Sequence, residues 1–160
     1  MKNKQIGILG FAHGHVHSYA DVCRERPELG VRTVAGWDVD IARAAAACDR
    51  HQIAQEASAE ALLARPDVDA VVVACETSFH ADLVCRAAAA GKAVILQKPM
   101  ALTLADADRI VAAVAKGGTP FTLAWQMRVD PHNLQMKELL AGGRFGRVLM
   151  VRRRHCLPVH

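Results

Sequence analysis

The segment DVDAVVVACETSFHADLVCRAAAAGKAVILQKP, residues 67–99, contains two apolar strands joined by one helix. The first strand, residues 69–75, is a continuous apolar run of the kind that parallel sheets cover on both faces. A helix reaching Ala90 follows, Gly91 ends it as a left-handed cap, and residues 93–96 form the second strand. A strand, a helix and a strand in this order predict two parallel neighbours with a right-handed crossover.

Strands and helices alternate in the same way along the rest of the chain. Further strands are predicted at residues 5–10, 31–37, 121–127 and 148–153, and further helices at residues 16–26, 41–53, 104–116 and 131–141. Such alternation with short connections predicts an α/β fold with a doubly wound parallel sheet. We expect this sheet in a first domain, residues 1–120, and the first elements of a truncated α/β second domain in residues 121–160.

The composition argues against several classes of protein. No apolar run approaches the roughly 20 residues of a membrane helix, and the amino-terminal apolar stretch is shorter than a signal-peptide core, so we expect a cytoplasmic protein. The five cysteines are scattered without a CxxC pair, which argues against a disulfide framework and against structural zinc. The basic excess lies in residues 121–160, where no aromatic residues alternate with it to stack bases, so we expect no nucleic-acid partner.

A glycine-containing loop, GFAHGHVH at residues 10–17, lies between the first strand and the first helix. Glycines there let the backbone approach a pyrophosphate, whose charge the amino-terminal end of the helix stabilises. The GxGxxG pattern is not intact, because Gly10 holds the first place, Ala12 the second and either Gly14 or His15 the third. The predicted cofactor-binding residues of this loop are Gly10, Phe11, Ala12, His13, Gly14 and His15.

The same loop supports a second interpretation, because His13, His15 and His17 alternate after a buried strand. Metal ligands have this spacing at the end of a barrel strand in metal-dependent hydrolases. Those enzymes need further ligands downstream, and none of the other histidines stands in an HExxH pattern. The alternating order of strands and helices fits a dinucleotide fold at least as well, and we predict no metal site.

Two charged residues follow strands at the edge where open α/β sheets bind ligands. Asp38 ends the second strand, where a carboxylate accepts hydrogen bonds from the adenosine ribose and repels a 2′-phosphate. This favours NAD as the cofactor, although Arg43 on the next helix keeps NADP in consideration. Lys98 follows the strand at residues 93–96 and projects into the same crevice, which makes it the candidate catalytic residue.

Two long segments, residues 67–110 and WQMRVDPHNLQMKELLAGGRFGRV at residues 125–148, resemble the Gfo/Idh/MocA oxidoreductases. The family patterns DaVvIatPnxxH and aGkhVlxEKPla are matched in order and at the family's spacings. The resemblance implies an NAD(P)-binding Rossmann domain followed by an α/β domain with a large open sheet. It also implies a sugar, an inositol or a related polyol as substrate.

The resemblance assigns roles to individual residues. Gly10 and Gly14 match the family's phosphate loop, and His17 matches the histidine of its GxxH motif. Asp38 matches the acid that binds the ribose, and His80 matches the histidine after the fourth strand. Lys98 matches the EKP lysine near nicotinamide and substrate, and Arg128 matches an arginine near the cofactor. Thr77 and Gln97 complete the predicted cofactor-binding set at positions where the family usually has Asn and Glu, and Glu76 replaces a Pro.

These observations predict an NAD(P)-dependent dehydrogenase that transfers hydride between nicotinamide and a polyol or sugar. In the resembled family the second domain supplies a catalytic histidine and the substrate pocket, so we expect this chain to bind cofactor without a complete active site, whether or not His160 is the natural end. The alternative is a non-catalytic nucleotide-binding or interaction protein. The edge of the predicted strand at residues 148–153 would pair with a second copy and form a homo-oligomer.

Overall fold

The central sheet of the computed structural model, which describes residues 3–152 and residue 154, has six parallel strands. The strands are β1 Lys4–Leu9, β2 Val31–Trp37, β3 Ala54–Gln55, β4 Ala70–Val73, β5 Ala93–Gln97 and β6 Phe121–Ala124. The helices are α1 His15–Glu25, α2 Ile41–His51, α3 Ala59–Ala64, α4 His80–Ala89, α5 Leu104–Gly117 and α6 Pro131–Ala141. The strand order is β3-β2-β1-β4-β5-β6, so the predicted doubly wound parallel α/β sheet is confirmed.

The apolar residues of β4 explain why helices cover both faces of the sheet. Val71 and Val73 are buried in one cluster with side chains of α3, α4 and α5, whereas Val72 is buried in a second cluster with side chains of α1 and α2. Successive side chains of a strand point to opposite faces, so a run of three valines fills both layers. Each fully buried valine contributes roughly 1.5–3 kcal/mol to folding.

Polar caps set the helix starts that the sequence predicts. The Asp40 side chain accepts hydrogen bonds from the backbone N–H groups of Ala42 and Arg43, and the Thr103 hydroxyl accepts one from Asp106. The Asp130 side chain accepts one from Asn133 at the start of α6. Each cap satisfies amide groups that the first helical turn leaves without intrahelical partners.

The predicted strand at residues 148–153 is wrong over residues 148–152, which form no strand, and Arg153 lies outside the described residues. A strand is stabilised by a hydrogen-bonded neighbour, and none of the described strands pairs with this segment. Leu149, Met150 and Val151 are exposed instead. The predicted pairing of copies through this strand therefore has no strand edge to use in the described residues.

The described chain forms two compact units, which divide between Ala124 and Trp125. β6 pairs in parallel with β5, so the first unit extends four residues beyond the domain boundary predicted at residue 120. The strand predicted over residues 121–127 ends at Ala124 because a 3-10 turn, Gln126–Arg128, follows it. Within residues 3–152, no helix is long and apolar enough to cross a membrane.

Candidate functional site

The candidate site is the crevice at the carboxyl ends of β1 and β4, where the strand order reverses. β1 pairs with β2 on one side and with β4 on the other. The helices that follow β1 and β4, α1 and α4, pack on opposite faces of the sheet. Open α/β sheets bind ligands at this position. The loops that follow β1, β2, β4 and β5 all lie at this edge, because parallel strands end on the same side.

Gly10 lets the first loop leave β1 directly against β4. Its φ is +92°, and a Cβ added there would lie 2.4 Å from the Cα of Cys75. Its N–H donates to the carbonyl of Trp37 at 2.7 Å, while the N–H of His13 donates to the carbonyl of Ala74 at 3.0 Å. The packing of this chain therefore requires glycine at position 10, with or without a ligand.

Gly14 is different, because nothing in the protein requires glycine there. It is the N-cap of α1, its φ of −55° suits any residue, and an added Cβ would meet no atom within 4 Å. Ala12 and Gly14, on either side of His13, are both small and both exposed. A side chain at position 14 would fill this space. The positive end of an eleven-residue helix is thus left open to an anion, and these residues fit a dinucleotide pyrophosphate.

The three alternating histidines of this loop have different partners. The rings of His13 and His15 meet edge to face with centroids 4.7 Å apart. His17 Nδ1 lies 2.9 Å from Nε2 of His51, which comes from α2. In the described part of the chain, no three or more His, Cys, Asp or Glu side chains are grouped to hold a metal ion, so the structure gives no support to the metal-hydrolase alternative.

Burial lowers the pKa of His13, and the neighbouring charges of Lys98, His15 and His80 lower it further. Lys98 is itself half-buried at the end of β5. The positive charge of Lys98 thus acts on His13 across the crevice, although the two residues come from the loops after β5 and β1. The structure brings the predicted catalytic lysine and the predicted phosphate loop into one electrostatic environment.

Asp38 is fully buried and accepts four hydrogen bonds from this chain. Two come from the backbone N–H groups of Phe11 at 2.6 Å and Asp40 at 2.9 Å. Two come from Arg43, whose Nε and Nη2 lie 2.8 and 2.7 Å from the two carboxylate oxygens. Burial raises the pKa of Asp38, but the hydrogen bonds from Arg43, Asp40 and Phe11 outweigh that effect and leave the pKa below its ordinary value.

Arg43 also reaches the loop after β4. Its Nη2 donates to Oε1 of Glu76 at 2.7 Å, so one guanidinium joins two carboxylates from the loops after β2 and β4, the two strands that flank β1. The contacts with Asp38 and Glu76 raise the pKa of Arg43. Sequence reasoning singles out Arg43 and Glu76 separately, but their pairing spans 33 positions and has no local signal.

Gln97 and His80 act inside the protein rather than at its surface. Gln97 is 1% exposed; its Oε1 accepts from the N–H of Lys98 at 2.9 Å and its Nε2 donates to the hydroxyl of Tyr19 at 3.1 Å. His80 is 1% exposed, and its ring nitrogens lie 3.0 Å from the carbonyl of Pro99 and 3.3 Å from that of Cys75. Both side chains thus fix the backbone on either side of Lys98.

The remaining predicted residues lie at different places. Thr77 begins the 3-10 turn Thr77–Phe79 after β4 and is half-buried. Arg128 belongs to the second compact unit, where its N–H donates to the carbonyl of Trp125 at 2.9 Å and its side chain is exposed. Tyr19 and His51 are site-flanking residues that the sequence analysis missed, because their partners come from distant elements.

A parallel sheet in this order, with a glycine loop leading into a helix at the switch point, defines a dinucleotide-binding domain. Comparison with family models supports this class: residues 4–124 match the model of an oxidoreductase family with an NAD-binding Rossmann fold, Gfo/Idh/MocA. The match covers most of the chain. The chain belongs to the Gfo/Idh/MocA oxidoreductase family, and the resemblance seen in its motifs is confirmed.

Individual relatives are similar over most of this chain. It is 38% identical over 128 residues to inositol 2-dehydrogenase 2 of Saccharopolyspora erythraea, covering 79% of this chain and 38% of that protein. It is 35% identical over 146 residues to D-apiose dehydrogenase of Paraburkholderia graminis, covering 91% of this chain and 37% of that protein. The chain thus spans less than half the length of these relatives.

A solved structure shares the fold. Scyllo-inositol dehydrogenase of Lactobacillus casei, crystallised with NAD(H) and scyllo-inositol, superposes with a TM-score of 0.79 at 24% identity, covering 91% of this chain and 43% of that one. At this identity the likeness establishes the fold alone.

Proposed function

We propose that this chain is the cofactor-binding part of an NAD-dependent dehydrogenase that transfers hydride between nicotinamide and a polyol or sugar. The observation that carries the proposal is the open amino-terminal end of α1 at Gly14, where the protein leaves space that its own packing does not need. Family membership supports the cofactor, and the inositol and apiose dehydrogenases among the relatives support the substrate class.

Different residues of the crevice bind different parts of the cofactor. The backbone around Ala12 and Gly14 and the amino-terminal end of α1 receive the pyrophosphate, whose negative charge the helix dipole stabilises. The end of β2, where the buried carboxylate of Asp38 holds Arg43, receives the adenosine ribose. Thr77, after β4, contributes a hydroxyl to the wall of the crevice. NAD supplies the hydride acceptor when it is bound.

Lys98 is the proposed catalytic residue. Its ammonium group has three donors and can hydrogen-bond the reacting hydroxyl, orienting the substrate carbon and assisting removal of the hydroxyl proton. Gln97 and His80 are positioning residues, because they bind the backbone beside Lys98 and not the crevice. We propose that turnover also requires a proton-transfer group and a substrate pocket from a second domain, with Arg128 serving the cofactor from the start of that domain.

Calorimetric titration of the chain with NADH and with NAD tests the binding proposal. We expect saturable binding, and we expect Gly14→Val to weaken it at least tenfold, because the new side chain fills the space before α1. Ser18→Val is the matched control, since Ser18 is exposed one turn further along the same helix. Neither substitution should lower the free energy of unfolding by more than about 1 kcal/mol.

Absence of binding by either nucleotide in a folded sample would refute the proposal. Equal weakening by Gly14→Val and Ser18→Val would show that the nucleotide binds elsewhere.

The alternative, a non-catalytic nucleotide-binding protein, is favoured by one feature only. Gln97 stands where the family usually has a glutamate, so the residue before Lys98 carries no charge. A dehydrogenase assay on the full-length protein with inositols and pentoses distinguishes the two. Turnover that disappears in Lys98→Met, while NADH still binds, supports the enzyme.

A further inference from the structure

The ion pair between Arg43 and Glu76 crosses the crevice at the adenosine end. We propose that Glu76 determines the selectivity of this chain for a dinucleotide without a 2′-phosphate, by holding Arg43 in place and keeping this end of the crevice net negative. The inference rests on the proposed function, since it concerns how the same site distinguishes two cofactors. Glu76 stands where the resembled family usually has a proline.

Three hydrogen bonds fix the guanidinium of Arg43. Two run to the buried carboxylate of Asp38 at 2.8 and 2.7 Å in a bidentate arrangement, and the third runs to Oε1 of Glu76 at 2.7 Å. Bidentate pairing of arginine with a carboxylate sets the plane of the guanidinium. The third bond ties that plane to the segment after β4, so Arg43 is held from two strands.

The charges of the three side chains do not cancel. Two carboxylates face one guanidinium, which leaves the cluster with a net charge of −1 when all three are ionised. The pKa of Asp38 is lowered and that of Arg43 is raised, so this pair is ionised at neutral pH. Arg43 therefore does not present an uncompensated positive charge to a ligand.

Glu76 itself keeps one oxygen without a donor. Its Oε2 is buried and has no hydrogen-bond partner among the described residues, while the side chain as a whole is 42% exposed. A carboxylate oxygen without a donor retains its full negative potential. Glu76 thus adds an anionic group beside the ribose site and, at the same time, occupies the arginine that could bind a phosphate.

The chemistry of the two cofactors makes this arrangement selective. NADP differs from NAD by a phosphate on the adenosine ribose, and dehydrogenases that accept it commonly do so with an arginine near the end of the second strand. In this chain the arginine is present but already bound to two carboxylates. The net negative cluster repels a dianionic 2′-phosphate, whereas it does not repel an uncharged ribose hydroxyl.

The test is a pair of calorimetric titrations, with NADH and with NADPH, on the wild-type chain and on Glu76→Gln. The substitution removes one negative charge and weakens the hold on Arg43. We expect it to tighten NADPH binding by about tenfold, the effect of removing one charge near a doubly charged group in a largely aqueous setting. Binding of NADH should change less than twofold.

Two further variants sharpen the test. Glu76→Asp keeps the charge and should retain the wild-type preference. Glu60→Gln is the matched control, because it removes the same charge from a pair with Arg86 on the helices α3 and α4. Circular dichroism checks that each variant is folded, and the partial exposure of Glu76 makes folding of Glu76→Gln the expected result.

The outcomes separate the two proposals. A wild-type chain that binds neither nucleotide refutes the proposed function and this inference with it. A wild-type chain that binds NADH, with a ratio of NADH to NADPH affinity that Glu76→Gln does not change, refutes the inference alone. The same refutation follows if Glu60→Gln shifts the ratio as much as Glu76→Gln.

Discussion

Substitution of Gly10 by alanine tests the close approach of β1 to β4 on which the crevice depends. The added Cβ would lie 2.4 Å from both Cα and Cβ of Cys75 and 2.5 Å from its backbone nitrogen. Backbone atoms of Cys75, just past the end of β4, cannot move aside as a flexible side chain can, so the segments that leave β1 and β4 must separate. Such overpacking costs about 1–3 kcal/mol.

A second cost comes from the backbone of Gly10. Its φ of +92° lies where residues with a Cβ are strained, which adds about 1–2 kcal/mol. Gly91→Ala is a matched control for this contribution, because Gly91 has a φ of +69° but no atom within 4 Å of an added Cβ. We expect Gly91→Ala to lower the free energy of unfolding by about 1 kcal/mol and Gly10→Ala to lower it by about 3–4 kcal/mol.

Urea unfolding followed by far-ultraviolet circular dichroism measures both free energies. Calorimetry adds a second readout, because separation of β1 from β4 should weaken NADH binding in Gly10→Ala and leave it unchanged in Gly91→Ala. Equal losses of stability in the two variants, within about 0.5 kcal/mol, would refute the reasoning. They would mean that backbone strain alone explains the glycine at position 10.

Two other predictions concern the buried polar groups around the site. Burial lowers the pKa of His13, His17 and His51 below 6.5, so in acid the unfolded chain binds more protons than the folded one. The free energy of unfolding should therefore fall as the pH drops below about 6.5. Urea midpoints measured between pH 8 and pH 5.5 test this, and His51→Gln should flatten the dependence of stability on pH. Gln97→Ala removes a buried amide that joins Lys98 to Tyr19 and should lower stability by about 2 kcal/mol, whereas Tyr19→Phe should lower it by about 1 kcal/mol; a larger loss for Tyr19→Phe would contradict this assignment.

Local signals in the sequence were sufficient for most of the fold. The apolar runs that became β4 and β5 and the caps at Asp40, Thr103 and Asp130 predicted their elements, because each depends on residues close together in the chain. β3 and α3 were missed, since Ala54–Gln55 has only two residues and Ala59–Ala64 only six. The strand predicted at residues 148–153 failed over residues 148–152 for the opposite reason: these residues suit a strand, but a strand also needs a partner.

The candidate site was predictable in position but not in its contacts. Lys98 and Asp38 could be found because residues after parallel strands lie at one edge of the sheet. The sequence analysis predicted Gln97 as a cofactor-binding residue but did not indicate that its amide bonds to Tyr19, 78 positions away. It assigned Asp38 to the adenosine ribose without indicating that Arg43, Phe11 and Asp40 donate hydrogen bonds to its oxygens. Such contacts depend on tertiary packing, which periodicity and spacing do not encode.

The pairing of β1 with β4 also constrains when the crevice can form during synthesis. Ile6 pairs with Ala70 and Leu9 with Val73, so the two walls of the crevice come from positions 64 apart in the chain. Closing a loop of that length costs about 4 kcal/mol of chain entropy beyond a constant contribution. A nascent chain that ends before residue 73 therefore contains the loop proposed to hold the pyrophosphate but lacks the strand against which that loop folds. The proposed nucleotide site can form only after β4 has left the ribosome.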